Sequence, residues 1–212
     1  MLRPRPIYLA LAGLLAFALA SSAIAVPILD GSFAGFSGSE TVIDFDEVAL
    51  TPWQSVTTEF AGLGITFSPN VWFENTRNFT NFDGASMANF RSSGAPGGAL
   101  PPIAFSVSFA TSMTDFAAFF ASNSGQTITL TAFLGATLVE TLSFTDAACC
   151  NGHVLGFSGI GFDRIDISGT NLIIFDEFHF ENVAEPATAL MLVLGLAGLA
   201  LAGRPAGTRS QA

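Results

Sequence analysis

The sequence contains no lysine, and its seven arginines are placed mostly at the two ends. Arg3 and Arg5 precede every other charged residue, Arg204 and Arg209 follow every other, and only Arg77, Arg91 and Arg164 lie between. All seventeen carboxylates fall from Asp30 to Glu185, so that interval, with its three arginines, carries a formal charge of −14 against −10 for the whole chain. This balance argues against nucleic acid as a partner, because binding it rests on Lys and Arg neutralising phosphates. Divalent cations, or solubility through self-repulsion, fit the sign better. Cysteine is scarce, with two residues, and there are two tryptophans and one tyrosine. No Gly-x-Ser-x-Gly elbow, zinc-ligand spacing, phosphate-binding loop or EF-hand loop is present, nor a repeat at solenoid or propeller spacing. Between Val42 and Glu181 no segment has a convincing helical period.

What is present is apolar residue in quantity: half of the 212 residues are hydrophobic, enough for one domain with a sizeable core and accessory segments. Residues 1–25 have the form of a secretory signal. A basic "MLRPR" precedes the apolar "IYLALAGLLAFALA", and Ala23 and Ala25 flank Ile24 in an A-x-A arrangement, so cleavage by signal peptidase is expected after Ala25. Export removes Tyr8 and places both cysteines in an oxidising compartment. Residues 26–41 read as an N-terminal linker and 42–182 as one all-β domain, an antiparallel β-sandwich or jelly roll. The evidence is a series of short runs of Val, Ile, Thr and Phe, punctuated by Gly, Pro, Asn and Asp. Strands are expected near 41–48, 64–69, 70–75, 102–110, 114–122, 127–134, 137–145, 153–159, 162–169 and 171–181. Alternation places Ile103, Phe105, Val107 and Phe109 on one face, and in "TITLTAFL" sets Ile128, Leu130 and Ala132 against three threonines. "LGAT" then supplies a tight hairpin, and the Gly- and Pro-rich stretch 82–102 reads as a surface loop.

The C-terminal segment 183–212 is different in kind. Ala187 to Gly203 is seventeen residues without a charge, which as a helix would be about 25 Å long, slightly short of a typical hydrocarbon core. Glu185 stands before it, and the tail 204–212 carries Arg204 and Arg209, placing positive charge on the cytoplasmic side. "VAEPATALMLVLGLAGLALAGR" (183–204) resembles the C-terminal sorting signal of the PEP-CTERM proteins. In that family a Pro-Glu-Pro motif, an apolar helix and a basic tail are recognised by an exosortase of Gram-negative bacteria. Here Ala184 stands in place of the first Pro, leaving Glu185 and Pro186, and the basic residues are spread over Arg204 and Arg209. The resemblance implies export, transient anchoring in the inner membrane, cleavage near Glu185–Pro186, and release to the cell surface or an exopolysaccharide matrix. The body, with "DFDEV", "GITF", "FDRIDISG" and "FDEFHF", resembles the β-sandwich bodies that often precede such signals, some of them lectin-like.

Asp44, Asp46 and Glu47 fall in an early strand, and Asp176 and Glu177 in the last. In a jelly roll these strands lie close, so the five carboxylates can meet as hard oxygen ligands for calcium, or else face solvent separately. Cys149 and Cys150 are adjacent and precede an Asn-Gly turn. Neighbouring Cα atoms are about 3.8 Å apart, below the usual disulfide range of about 4.4–6.8 Å. The alternatives are therefore a vicinal bridge presenting a flat apolar face, two structural cysteines, or intermolecular links. Cys150, His153 and Asp146 have the residue types of a nucleophile, base and orienter, but oxidation removes the thiolate, so no catalytic residue is assigned. His179 reads as a packed or surface histidine. Trp53 and Trp72 are either stacking platforms for a glycan or core residues. Three functions follow. The first is a non-enzymatic exported protein of the surface or matrix. The second is a calcium-dependent carbohydrate-binding module, and the third a hydrolase, kept because all-β folds can host one.

Overall fold

The computed structural model describes residues 26–29, 31–33, 36, 38–74, 82, 84–122, 125–147 and 149–182. The segments expected as signal peptide and sorting signal, 1–25 and 183–212, lie outside the described residues. Among those described, no helix is long and apolar enough to cross a membrane.

Period-two patterning produces strands wherever it is sustained. The eleven described strands are β1 Val26–Leu29, β2 Thr41–Ile43, β3 Ile65–Phe67, β4 Trp72–Glu74, β5 Ser86–Ala88, β6 Phe105–Ser122, β7 Thr127–Leu134, β8 Thr137–Thr145, β9 His153–Ser158, β10 Phe162–Gly169 and β11 Ile173–Asn182. The one helical piece among them is a 3-10 turn, Ala61–Leu63. In β7, Ile128, Leu130 and Ala132 are buried while the intervening threonines stay half-exposed. Those threonines pair across the hairpin, with Thr127 Oγ1 2.9 Å from Thr145 Oγ1 and Thr129 Oγ1 3.0 Å from Ser143 Oγ. Such cross-strand pairs fix the register that keeps the apolar set inward.

All pairings among these strands are antiparallel, as the sequence led us to expect. The stretches expected as separate strands at 102–110 and 114–122 form the single strand β6. Its first part pairs with β3 and β10, and its second with β9 and β11. β10 leads on to β7 and β8, while β1 joins β9, and β2, β5 and β4 extend the sheet from β11. β6 folds over between these parts: the rings of Phe109 and Phe116 lie 5.9 Å apart, whereas seven extended residues would span about 23 Å. The two halves of the sheet therefore face each other across one core. Phe105 stacks on Phe175 of β11 at 4.9 Å, and Phe67 of β3 reaches Phe178 at 6.1 Å. Alanine and glycine let backbones close up beneath the rings. Gly156 of β9 passes so near β6 that a Cβ there would collide with the backbone carbonyl of Phe116.

Three expectations are corrected. Residues 26–41, read as linker, contribute β1, which pairs with β9 from Val26↔Ser158 to Leu29↔Leu155. The stretch 82–102, read as loop, contains β5, whose three residues are all buried. Ile103 precedes β6 and is exposed rather than sharing the buried face of Phe105, Val107 and Phe109.

Candidate functional site

β2 ends at Ile43, so Asp44, Asp46 and Glu47 lie in the turn that follows it and not in a strand. Phe45 breaks the strand with φ 63°. A left-handed residue other than Gly costs about 1–2 kcal/mol. Full burial of the Phe45 ring, with Phe178 at 5.1 Å and Phe60 at 5.3 Å, returns about 1.5–3 kcal/mol, so the turn holds. Its own side chains finish it: Asp44 Oδ1 accepts from Asp46 N–H at 3.0 Å and Glu47 Oε1 from Asp44 N–H at 3.1 Å. Glu47 is therefore turned back onto the loop.

On β11 the ladder to β6 slips between Asp176↔Phe119 and His179↔Ala117, leaving one extra residue, and Glu177 adopts φ 51° there. The opposite edge of β11 pairs with β5 at Ile174 and Phe175 and with β2 from Phe178 to Phe180. Asp176 and Glu177 thus fall in a notch between two short strands. Asp44, Asp46, Asp176 and Glu177 line one cavity of about 330 Å³ there. The expected meeting of the first and last carboxylates is realised for these four, and Glu47 does not line the cavity. Gly84 borders it: at φ 85°, a Cβ would lie 2.7 Å from Asp46 Oδ2. Neither described arginine lines the notch, since Arg91 donates to the carbonyls of Gly97 and Gly98, and Arg164 to Asp166. These four oxygen donors are the residues that could hold a hard cation, yet among the described residues no three acidic, imidazole or thiol groups converge as a ready metal-ligand set.

The notch continues into a row of rings on the outer face of the same half-sheet. Glu177 Oε1 lies 3.3 Å from His179 Nε2. His179, which packs as expected for one of its two readings, stacks on Phe33 at 3.8 Å and has Phe36 at 5.8 Å and Glu40 3.8 Å from Nδ1. Phe33 meets Phe119 edge-on at 5.0 Å, and Phe82 follows at 6.3 Å. Phe82, Trp53 and Leu172 then pack on Phe90, Ala88 and Ile174. Phe33, Phe36, Phe82, Phe119 and Trp53 are all half-exposed. Trp53 thus remains accessible. Trp72 does not: at 6 % exposure in β4 it is a core residue, the second of its two readings, and offers no stacking face. Sequence reasoning missed the phenylalanines of this row, although the doublet Phe119–Phe120 carries the signal, because adjacent rings in a strand must face opposite sides.

Next to Ser122 at the end of β6, Cys149 and Cys150 are joined to each other, the vicinal bridge among the three alternatives. Cys150 has φ 72°, and its N–H donates to Ser122 O at 3.1 Å. Asp146 is fully buried and lies 3.2 Å from His153 Nε2, whose ring has Phe144 4.7 Å away. The base and orienter types do meet here, while both thiols are tied up in the bridge, as oxidation of the cysteines implies.

No family model matches the sequence, and no curated protein matches it. Several solved structures are similar, three of them as follows. One is a family 6 carbohydrate-binding module studied for its binding sub-sites (13 % identity, 68 % of this chain and 94 % of that one, TM-score 0.37). Another is CsCBM6-3 from Clostridium stercorarium in complex with cellobiose (12 %, 68 % and 94 %, 0.36). The third is the enzymatically active domain of tailspike protein 4 of bacteriophage CBA120 (14 %, 59 % and 20 %, 0.29). At these scores no ligand or activity passes from them to this chain.

Proposed function

We propose that this chain is a non-catalytic, exported carbohydrate-binding protein with a β-sandwich body of jelly-roll type, acting at the cell surface or in an exopolysaccharide matrix. The observation that carries the reading is the row of half-exposed rings from Phe36 to Trp53 beside the carboxylate notch. Aromatic faces supply apolar contact at low entropic cost, and adjacent oxygen acceptors orient hydroxyl groups. Delivery follows the PEP-CTERM-like segment: signal peptidase acts after Ala25, an exosortase recognises Ala184, Glu185, Pro186 and the tail arginines, and the product leaves the inner membrane. Calcium is the cation that suits the notch, because Asp44, Asp46, Asp176 and Glu177 present carboxylate oxygens, the hard donors that calcium takes.

Pull-down of the exported chain on polysaccharides, with and without EDTA, tests both parts. Retention is expected, and its loss in EDTA assigns calcium a role; absence of binding to every glycan rejects the carbohydrate reading. Mass spectrometry of the protein secreted by its native host tests delivery. A mature C-terminus near Glu185 is expected, and an intact Ala212 refutes exosortase processing.

A further inference from the structure

The sheet has a second and larger interruption. β10 pairs with β6 as Phe162↔Met113 and next as Arg164↔Ser108, so one residue, Asp163, faces the four residues from Phe109 to Ser112. A slip of that size opens the ladder and redirects side chains. The result is a groove of about 400 Å³ lined by Ser108, Thr111, Ser112, Asp163 and Arg164 over the edge of Phe109. It shares no lining residue with the notch or the aromatic row.

Two of its side chains are held in place without any ligand. Arg164 Nε donates to Asp166 Oδ1 at 2.9 Å, and the guanidinium carbon lies 4.2 Å from the centre of the Phe133 ring. The carboxylate of Asp163 accepts the N–H of Gly135, at the β7–β8 hairpin, at 3.0 Å and 2.9 Å. The remaining guanidinium N–H groups and carboxylate lone pairs are thereby aimed before a ligand arrives. Thr111 is steadied by Asn182, its Oγ1 donating to Oδ1 at 2.9 Å, and the hydroxyls of Ser108 and Ser112 are exposed.

Charge selects the ligand class. Asp163 and Asp166 outnumber Arg164, so an anion is repelled, and a single lining carboxylate is a poor cage for a hard cation, which takes about 6–8 oxygens. A neutral ring with neighbouring hydroxyls satisfies both fixed groups, one hydroxyl donating to Asp163 and the next accepting from Arg164. We infer that this groove is a second glycan-contact site, for a neutral pyranoside with vicinal hydroxyls. The inference rests on the carbohydrate-binding reading above. With two separate contact sites, one chain can join two polysaccharide strands, or hold one strand twice at raised effective concentration.

The test is an NMR titration of the isotope-labelled exported chain with cellohexaose and, separately, mannohexaose. Amides of Ser108, Thr111, Ser112 and Asp163 are expected to shift saturably. In the variant Asp163→Asn/Arg164→Gln the groove's Kd should rise about tenfold or more, from lost charge-assisted hydrogen bonds, with the shifts at Phe119 and His179 unchanged. Ser112→Trp, which fills the groove from an exposed position, should abolish the groove response alone and covers the case in which the double variant misfolds. Shifts confined to Phe119 and His179 overturn the groove and leave the carbohydrate reading standing. No shift at either place overturns the groove, and the polysaccharide pull-down then decides the carbohydrate reading.

Discussion

At β11 a single extra residue, Glu177, opposes β6, and the interruption gathers four carboxylates around a notch. At the fold of β6 three extra residues oppose β10, and the interruption gathers exposed hydroxyls beside Arg164, held by Asp166, and Asp163, held by Gly135. Both places arise from the same device, a slip in an antiparallel ladder that frees side chains from the pleat. Their chemistry differs because of what the sequence sets at the slip. Four acidic residues at one notch suit a cation, and a balanced donor and acceptor suit a neutral hydrogen-bonding ligand. A strand irregularity therefore marks where a site can form, and the side chains at it decide for what.

The largest expected effect removes the support that both places share. Phe175 touches rings from β3, β6 and β11, and Phe175→Ala should cost about 3–5 kcal/mol, read as a lowered denaturation midpoint with both sites lost together. Next comes the notch by itself. Calcium at a hundredfold excess over its Kd should raise stability by about 2.7 kcal/mol, and Asp44→Asn/Asp46→Asn should remove that response in a melting experiment while groove binding persists. No calcium-dependent shift in the unaltered protein would reduce the notch to a source of solubility.

Trp53→Ala and Phe119→Ala should each weaken glycan binding at the outer face by about 0.5–1.5 kcal/mol in titration calorimetry, sparing the groove. Trp72→Ala should act through stability, because that ring is buried. Two smaller effects lie in neither region. Opening the Cys149–Cys150 bridge as the double serine variant should cost about 1 kcal/mol, because so short a loop releases little chain entropy. Burial pushes the Glu59 carboxyl up, but hydrogen bonds from the N–H groups of Thr57, of Glu59 itself and of Thr58 outweigh it and hold the pKa below the usual value. Stabilisation by Glu59 is thus present above the unfolded pKa of about 4.3 and lost as pH falls through the lower folded value. The gap in midpoint between the unaltered chain and Glu59→Gln should be steady at neutral pH and close in acid.

Strict alternation made β7 legible with its bounds, since a half-buried strand must repeat every two residues, and the bounds of β8 and β10 were legible from runs of Val, Ile, Leu, Thr and Phe between turn residues. The continuity of β6 was not legible, because "FATSMTD" reads as a break where the strand in fact folds over. β5 was hidden for another reason: its Ser86, Met87 and Ala88 are buried on both faces and show no alternation. The carboxylates of the notch were legible as residue types near the first and last strands of the domain. Which of them line it depends on Phe45 and Glu177 adopting left-handed backbone, a choice driven by distant packing. The groove was invisible in the sequence, since Ser108 and Arg164 meet only through register.

The long strand β6 also gives the molecule a direction. Asn182 pairs with Met113, and Val26 with Ser158, whose neighbour Phe157 faces Phe116, so the first and last described strands, β1 and β11, bring Val26 and Asn182 to one end of the half-sheet. Ser122, next to the Cys149–Cys150 turn, lies nine residues away along β6, about 30 Å in extended chain. A support gripping the molecule at Val26 or Asn182 would hold the β6 groove proximal, through Thr111 against Asn182. The disulfide turn would then be distal, the first part of the molecule to meet whatever approaches from outside.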